Sequence, residues 1–385
     1  MHLAWALPLA LLGYLVWAAD GDLGFLWRVL RHRESSTADY RWKRAARVAP
    51  APVPRPWPTT DGCGAVAAAW AADGGDTFDR YLGHGDARAL VVIRDGALAC
   101  EWYGNGGGAD RPQAVMSVSK TVLGLIVARA EAAGRLALTE PITARLPELA
   151  RRDPRFGAIT LAALLDMRSG IGFDEATRFP WVDQDGPRVY YASDLRRTVL
   201  TRPRVVASPG GFHYNDYAPN LVGLALERAT ATPLAVATQA LWDELGAAGP
   251  AQWSVDDRGF AWHESGLVLT ARDLARIGQL ILDDGVVAGR AVAPPAWIAR
   301  SRASVGRDEA TRFAGVALGY HNGWWRLGED LVAMGRYGQI MVVAPATRTV
   351  IVRLGGDHPR ETNVALASRF ARLAARMGYA SAGAR

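Results

Sequence analysis

The chain has 385 residues, 50% of them hydrophobic and 21% charged, with a net charge of +6. That is long and apolar enough for one large domain or two lobes around a substantial core, and it argues against disorder. Residues 1–50 hold seven basic residues against four acidic ones, which leaves only +3 for the rest, and no Lys/Arg stripe interleaved with aromatics appears, so no nucleic-acid partner is expected.

Leu3 to Ala19 is an apolar run followed by Asp20. It suits an export signal cut near Ala18, a short membrane anchor, or a helix packed on the domain. No Lys or Arg precedes the run and a basic cluster follows it, which by the positive-inside rule opposes export. We expect residues 1–22 to be a signal or anchor of an exported, periplasmic or membrane-anchored protein. Residues 23–60 read as a basic and Pro-rich linker ending in APAPVPRPWPTT. The folded domain is expected over 61–380. Cys63 and Cys100 are the only cysteines, and the sequence leaves their pairing open.

Ala89 to Arg94, Asp95-Gly96 and Ala97 to Tyr103 predict a β-hairpin with a two-residue turn. Gly104 to Gly108 is a glycine-rich loop, but Pro112 interrupts it and no acidic residue follows at dinucleotide spacing. Ala114 to Ala130 is apolar on nearly every face from Val122 onward, which predicts a buried helix. The chain then turns mainly helical. Leu161 to Met167 is one helix, Thr232-Pro233 opens another, and Thr270 with Asp273 opens a third that closes near Gly285. Leu331 to Val343 and Thr349 to Leu354 read as two strands, and Asn363 to Met377 as a closing amphipathic helix. The fold expected is α/β (α+β). An antiparallel sheet built from both chain ends (61–134 and 310–380) is flanked by helices and joined to a mainly helical lobe (135–309), with the site at the seam.

Ser117 and Lys120 stand three apart where the buried helix begins, hence on one face. A free serine is a poor nucleophile, and a neighbouring uncharged amine that takes its proton makes it a good one. Burial beside the positive end of a helix dipole disfavours an ammonium, so Lys120 is expected to be neutral. Composition singles this lysine out. Of 44 basic residues 42 are Arg, and Lys43 is the only other lysine. Arginine holds its proton; lysine can release it.

Acyl transfer also needs a second proton-handling group and an oxyanion hole. Tyr214 can accept a proton from Ser117 or relay one to a leaving group, if Lys120 keeps its phenol acidic. Taken alone, it reads as readily as a half-buried core aromatic. In Gly335-Arg-Tyr-Gly-Gln339 a glycine lets the backbone approach closely, and the N–H after it can face an oxyanion beside the N–H of Ser117.

In their order, Ser117-Val-Ser-Lys120, Tyr214-Asn-Asp216 and Arg336-Tyr-Gly338 resemble the three motifs of the serine β-lactamase and penicillin-binding superfamily. Leu164 to Gly170, Ser208-Pro-Gly210 and Ser265 to Ala275 resemble the branch holding class C enzymes, serine esterases, D-aminopeptidases and 6-aminohexanoate-dimer hydrolases. Gly338-Gln339 with Trp324-Trp325 upstream points to the last group. The resemblance runs from about Ala89 to Met377 and implies a hydrolase of small amides or esters working through an acyl-enzyme. It makes Ser117 the nucleophile, Lys120 its base partner and Tyr214 the general acid/base, with the N–H groups of Ser117 and Gln339 as oxyanion hole. Two departures stand out. Asp216 replaces the motif asparagine, so it accepts hydrogen bonds without donating and favours an ammonium on Lys120. Arg336 replaces the lysine of β-lactamases. Both oppose β-lactam turnover.

Further substrate contacts are expected from Asp216, Arg336, Tyr337, Gly338, Tyr190, Tyr191, His213 and Trp181. No metal-ligand spacing and no Gly-x-Ser-x-Gly elbow is present, and the chemistry calls for no cofactor. A D,D-carboxypeptidase or penicillin-binding protein, and a non-catalytic binding member, are the rival readings. Oligomeric state is not legible.

Overall fold

The computed structural model describes residues 3–74, 76–175, 182–303, 311–313 and 315–382. Its centre is an eight-stranded antiparallel sheet drawn from the two ends of the chain, as expected. In chain order the strands are β1 (Ala87–Arg94), β2 (Ala97–Tyr103), β3 (Thr311–Phe313), β4 (Val316–His321), β5 (Trp324–Leu327), β6 (Asp330–Gly335), β7 (Gln339–Ala344) and β8 (Thr349–Gly355). Across the sheet they run β3-β4-β5-β6-β7-β8-β1-β2. The hairpin β1–β2 turns on Asp95 and Gly96, at φ 49° and 78°, the two left-handed residues that a tight hairpin turn requires. Every residue of β7 and β8 is buried. Their near-continuous apolar sequence therefore reflects cover on both faces.

One expected strand is two. Leu331 to Val343 breaks at Arg336-Tyr337-Gly338 into β6 and β7, with Gly335 paired to Gln339 across the turn. Tyr337 and Gly338 both take positive φ (68° and 73°), and that reversal is what an uninterrupted apolar count misses.

The helix predicted at Ala114–Ala130 is α3 (Ser119–Ala132), preceded by one 3-10 turn at Met116–Val118. All its residues from Ser119 to Ala128 are buried. Gly124 lets it approach the β4–β5 turn, because a Cβ there would lie 2.7 Å from the Asn322 carbonyl. Thr121 Oγ1 donates to Gly323 O at 2.9 Å in the same place. Helices α4 (Tyr217–Thr230) and α5 (Ala271–Leu282) belong to the central segment, and α6 (Asn363–Ala382) closes the chain. Thr270 caps α5 by accepting from Asp273 N. Both α5 and α6 pack on the sheet.

The reading of residues 23–60 as a linker is corrected. Leu3–Ala18 and Leu23–His32 form helices α1 and α2. Ala19, Phe25, Leu26 and Val29 pack with Val182 and Tyr191. Arg44–Val48 is a strand paired with Ala251–Val255 in a second sheet that also holds Leu267–Leu269 and Gln113–Ala114. Residues 49–60 form neither helix nor strand and run as a strap, donating from Ala51 N to Ala247 O and from Arg55 N to Gly246 O. The partners of this segment lie hundreds of residues away, so no local pattern announces them. Among the described residues no helix is long and apolar enough to cross a membrane. Cys63 and Cys100 form a disulfide.

Candidate active site

Ser117 lies in the 3-10 turn ahead of α3, where the first N–H groups of a helix have no intrahelical partner. The residue before it, Met116, is held at φ 49°, a strained conformation for a side chain of that size. Ser119 fixes this turn. Its Oγ donates to Met116 O at 2.7 Å and accepts from Leu267 N at 3.1 Å, tying the Ser117 loop to the second sheet.

Lys120 Nζ donates to Ser117 Oγ at 2.9 Å and to Glu264 O at 3.1 Å, and lies 2.8 Å from Asp216 Oδ1. Two hydrogen-bond acceptors and one ion-pair partner thus surround this amine. Burial alone would push this amine down; the Asp216 carboxylate above all, with Tyr214 and Glu264, pushes it well above the ordinary lysine range. The expectation of a neutral resting amine is thereby corrected. The carboxylate that replaces the motif asparagine outweighs desolvation.

Tyr214 completes the cluster. Lys120 Nζ stands 4.9 Å from its ring centroid, and the ring stacks on Trp325 at 5.6 Å and meets Tyr320 edge-on at 5.9 Å. Burial raises the phenol, while the Lys120 charge and hydrogen bonds with Ser117 and Lys120 pull it down. Neighbouring candidates are occupied elsewhere. Tyr217 donates to Asp185 at 2.7 Å, Asn215 caps α4 by accepting from Ala218 N, and Asn220 accepts from His263 N. Of this stretch it is Tyr214 and Asp216 that lie against Lys120.

Ser117, Tyr214 and Asp216 open onto a cleft of about 670 Å³. Tyr190, Tyr191 and Arg336 line it. The other calls are sorted differently. Gln339 is fully buried with its side-chain amide clamped to both backbone groups of Gly355, and it does not line the cleft. The backbone lying against the Ser117 N–H is instead Gly335, where a Cβ would come within 3.1 Å of Ser117 N and collide with Val115 O. The next N–H, that of Arg336, has no hydrogen-bond acceptor among the described residues. Gly338 is turned away, donating to Asn363 Oδ1 at 3.1 Å and accepting from Arg353 at 2.7 Å. The Tyr337 hydroxyl is bound to Ser35. His213 is exposed and outside the cleft lining. Trp181 lies outside the described residues.

Sequence reasoning missed six residues. Arg33, Glu34 and Ser35, assigned to a linker, form one wall of the cleft. Glu175 lines it too, its carboxyl raised by burial and by Asp216. Glu264 is 1% exposed, accepts from Ser265 Oγ at 3.0 Å, and is pushed up to about 7 by burial and by Asp216. Lys43, the chain's other lysine, is buried nearby. It donates to Tyr190 O at 3.1 Å beneath the Tyr190 and Trp262 rings, and burial pushes it down to about 7. The signal for Lys43 was present, since both lysines of an arginine-rich chain converge on one site. Among the described residues no His/Cys/Asp/Glu group is arranged to hold a metal.

Comparison with known proteins gives this arrangement its relatives. The family profile described as Beta-lactamase matches residues 65–376. The 6-aminohexanoate-dimer hydrolase of Paenarthrobacter ureafaciens is 30% identical over 282 residues, covering 69% of this chain and 71% of that protein. Esterase EstB of Burkholderia gladioli is 33% identical over 141 residues, covering 32% of this chain and 34% of its own length. A Bacillus anthracis structure provisionally named as a 6-aminohexanoate-dimer hydrolase superposes with a TM-score of 0.78 at 22% identity, covering 91% of this chain and 94% of that one. With the profile spanning most of its length and the Ser117, Lys120 and Tyr214 cluster at the seam of sheet and helices, this chain belongs to the β-lactamase family.

Proposed function

We propose that this protein is a serine hydrolase that cleaves small amides or esters through an acyl-enzyme on Ser117. The observation that carries the reading is the Ser117 Oγ to Lys120 Nζ hydrogen bond of 2.9 Å beside the Tyr214 phenol. The similarity to an amide hydrolase and to an esterase supports the substrate class.

Because Lys120 is held as an ammonium, it serves charge rather than proton removal. As Ser117 Oγ bonds to the substrate carbonyl carbon, its proton passes to Tyr214 Oη, and the phenol's own proton passes to the leaving nitrogen or oxygen as that bond breaks. Lys120, donating to Ser117 Oγ, stabilises the negative charge that builds there as the proton departs. In the second half a water oxygen bonds to the acyl carbon and its proton passes to Tyr214 Oη, the phenol's own proton passes to Ser117 Oγ as the acyl C–Oγ bond breaks, and the acyl group leaves as a carboxylic acid. The N–H groups of Ser117 and Arg336 are the proposed oxyanion donors, each typically worth ~3–4 kcal/mol of barrier.

Intact-mass analysis after a fluorophosphonate probe, with peptide mapping, tests the reading, together with turnover of p-nitrophenyl acetate and the 6-aminohexanoate dimer. A single adduct on Ser117, absent in Ser117→Ala, is expected. An unmodified wild-type chain with no turnover would sink it. Stable labelling by penicillin without ester turnover would instead favour a penicillin-binding role, which Asp216 argues against.

A further inference from the structure

We infer that helices α1 and α2 seat this protein on an anionic lipid bilayer, with the Ser117 cleft opening beside that surface. One face of α2 is sealed onto the domain by Phe25, Leu26 and Val29. The other carries Leu23, Trp27 and Leu30 at i, i+4 and i+7, and these are 64%, 66% and 51% exposed. On α1, Leu11, Leu12, Tyr14 and Trp17 face solvent as well. Among the described residues, seven of the eleven exposed large hydrophobics thus fall within residues 11–30, and the other four are scattered valines. An apolar patch gathered in one short segment marks an interaction surface.

Charge chooses the partner. Arg31, one turn beyond Trp27, and Arg33 are exposed with no carboxylate partner among the described residues. Of the nearby acids, Glu34 is exposed beside Arg33 and Asp20 is half exposed, while Asp22 and Asp39 are turned inward. Asp20 pairs with Arg188 and Arg202, Asp22 accepts from Phe25 N and Ser193, and Asp39 accepts from Trp42 and Tyr190. With Asp20 neutralised by Arg188 and Arg202, what faces outward is mainly apolar, with Arg31 and Arg33 set against Glu34, the single free carboxylate there among the described residues, and Trp17 and Trp27 suit the headgroup level. A second copy on this face would set Arg31 and Arg33 against their own kind; anionic headgroups would neutralise them. With 16 residues α1 reaches only ~24 Å against a hydrocarbon core of ~30 Å, so the segment lies in the interface and does not span. Arg33, Glu34 and Ser35 follow α2 directly and line the cleft, which places its mouth next to the docked face.

The test is flotation of the full chain with vesicles of phosphatidylcholine alone or mixed with phosphatidylglycerol. The wild type is expected to float with the anionic vesicles and to be released by salt. Trp27→Glu/Leu30→Glu and Arg31→Glu should bind about tenfold or more weakly. Their thermal midpoints and their hydrolysis of a soluble nitrophenyl ester should match wild type, which separates lost docking from lost folding. A wild-type chain that stays with neither vesicle, or a double variant that floats as well as its parent, would overturn the inference. So would a stable dimer abolished by the double variant in a chain that ignores vesicles.

Discussion

The Lys120 ammonium and the Asp216 carboxylate lie 2.8 Å apart, with side chains 3% and 27% exposed. A charge pair this poorly solvated is costly to break from one side, because the remaining charge stays buried. Lys120→Met is expected to destabilise the protein by about 2–4 kcal/mol. Adding Asp216→Asn should restore most of that stability and none of the activity. Denaturant unfolding of the two single variants and the double variant checks the coupling.

Asp216→Asn alone removes the chief cause of the raised Lys120 pKa, so that pKa falls. The amine then sheds its proton at lower pH and competes with Tyr214 for the serine proton. The pH profile of kcat/KM for a nitrophenyl ester should acquire an ionisation shifted toward neutrality. An unchanged profile would mean that Asp216 does not control the charge on Lys120.

Glu264 and Lys43 are both driven toward their neutral forms by burial, each to about 7. A carboxyl raised in the folded state favours folding below the unfolded value near 4.5 and loses that contribution as pH rises through 7. Glu264→Gln removes this dependence. It should therefore gain on wild type between pH 5 and pH 8, by an amount on the order of 3 kcal/mol. Lys43, lowered by burial, works with the opposite sign, its folded form gaining stability as pH rises above 7, and Glu264→Gln leaves that part in place. Denaturation midpoints at the two pH values decide the matter.

Gly335→Ala would push a methyl against Val115 O and toward the Ser117 N–H. The turn carrying the proposed second oxyanion donor must then move. We expect kcat/KM to fall by about a hundredfold or more, the typical cost of one misplaced donor. Gln339→Ala should behave differently, losing stability through the broken Gly355 clamp while the protein that remains folded keeps its activity. Kinetics normalised to active-site titration would separate the two.

Most of the site's chemistry was written locally. Ser117 and Lys120 are three residues apart across the 3-10 turn and the start of α3, so their meeting is local. The hairpin β1–β2 is likewise fixed by Asp95-Gly96. Motif order and the two-ended sheet were legible because antiparallel strands announce themselves by apolar runs and turns. Tertiary structure decided what depends on distant partners. Asp216 reaching Lys120 settles a charge that composition and burial had assigned the other way. Residues 23–48 become part of the fold because Val182, Tyr191 and the strand Ala251–Val255 receive them. Gln339 leaves the site for Gly355. A sequence records which groups can ionise or donate; only packing decides which of them meet, how dry the meeting is, and hence where the proton rests.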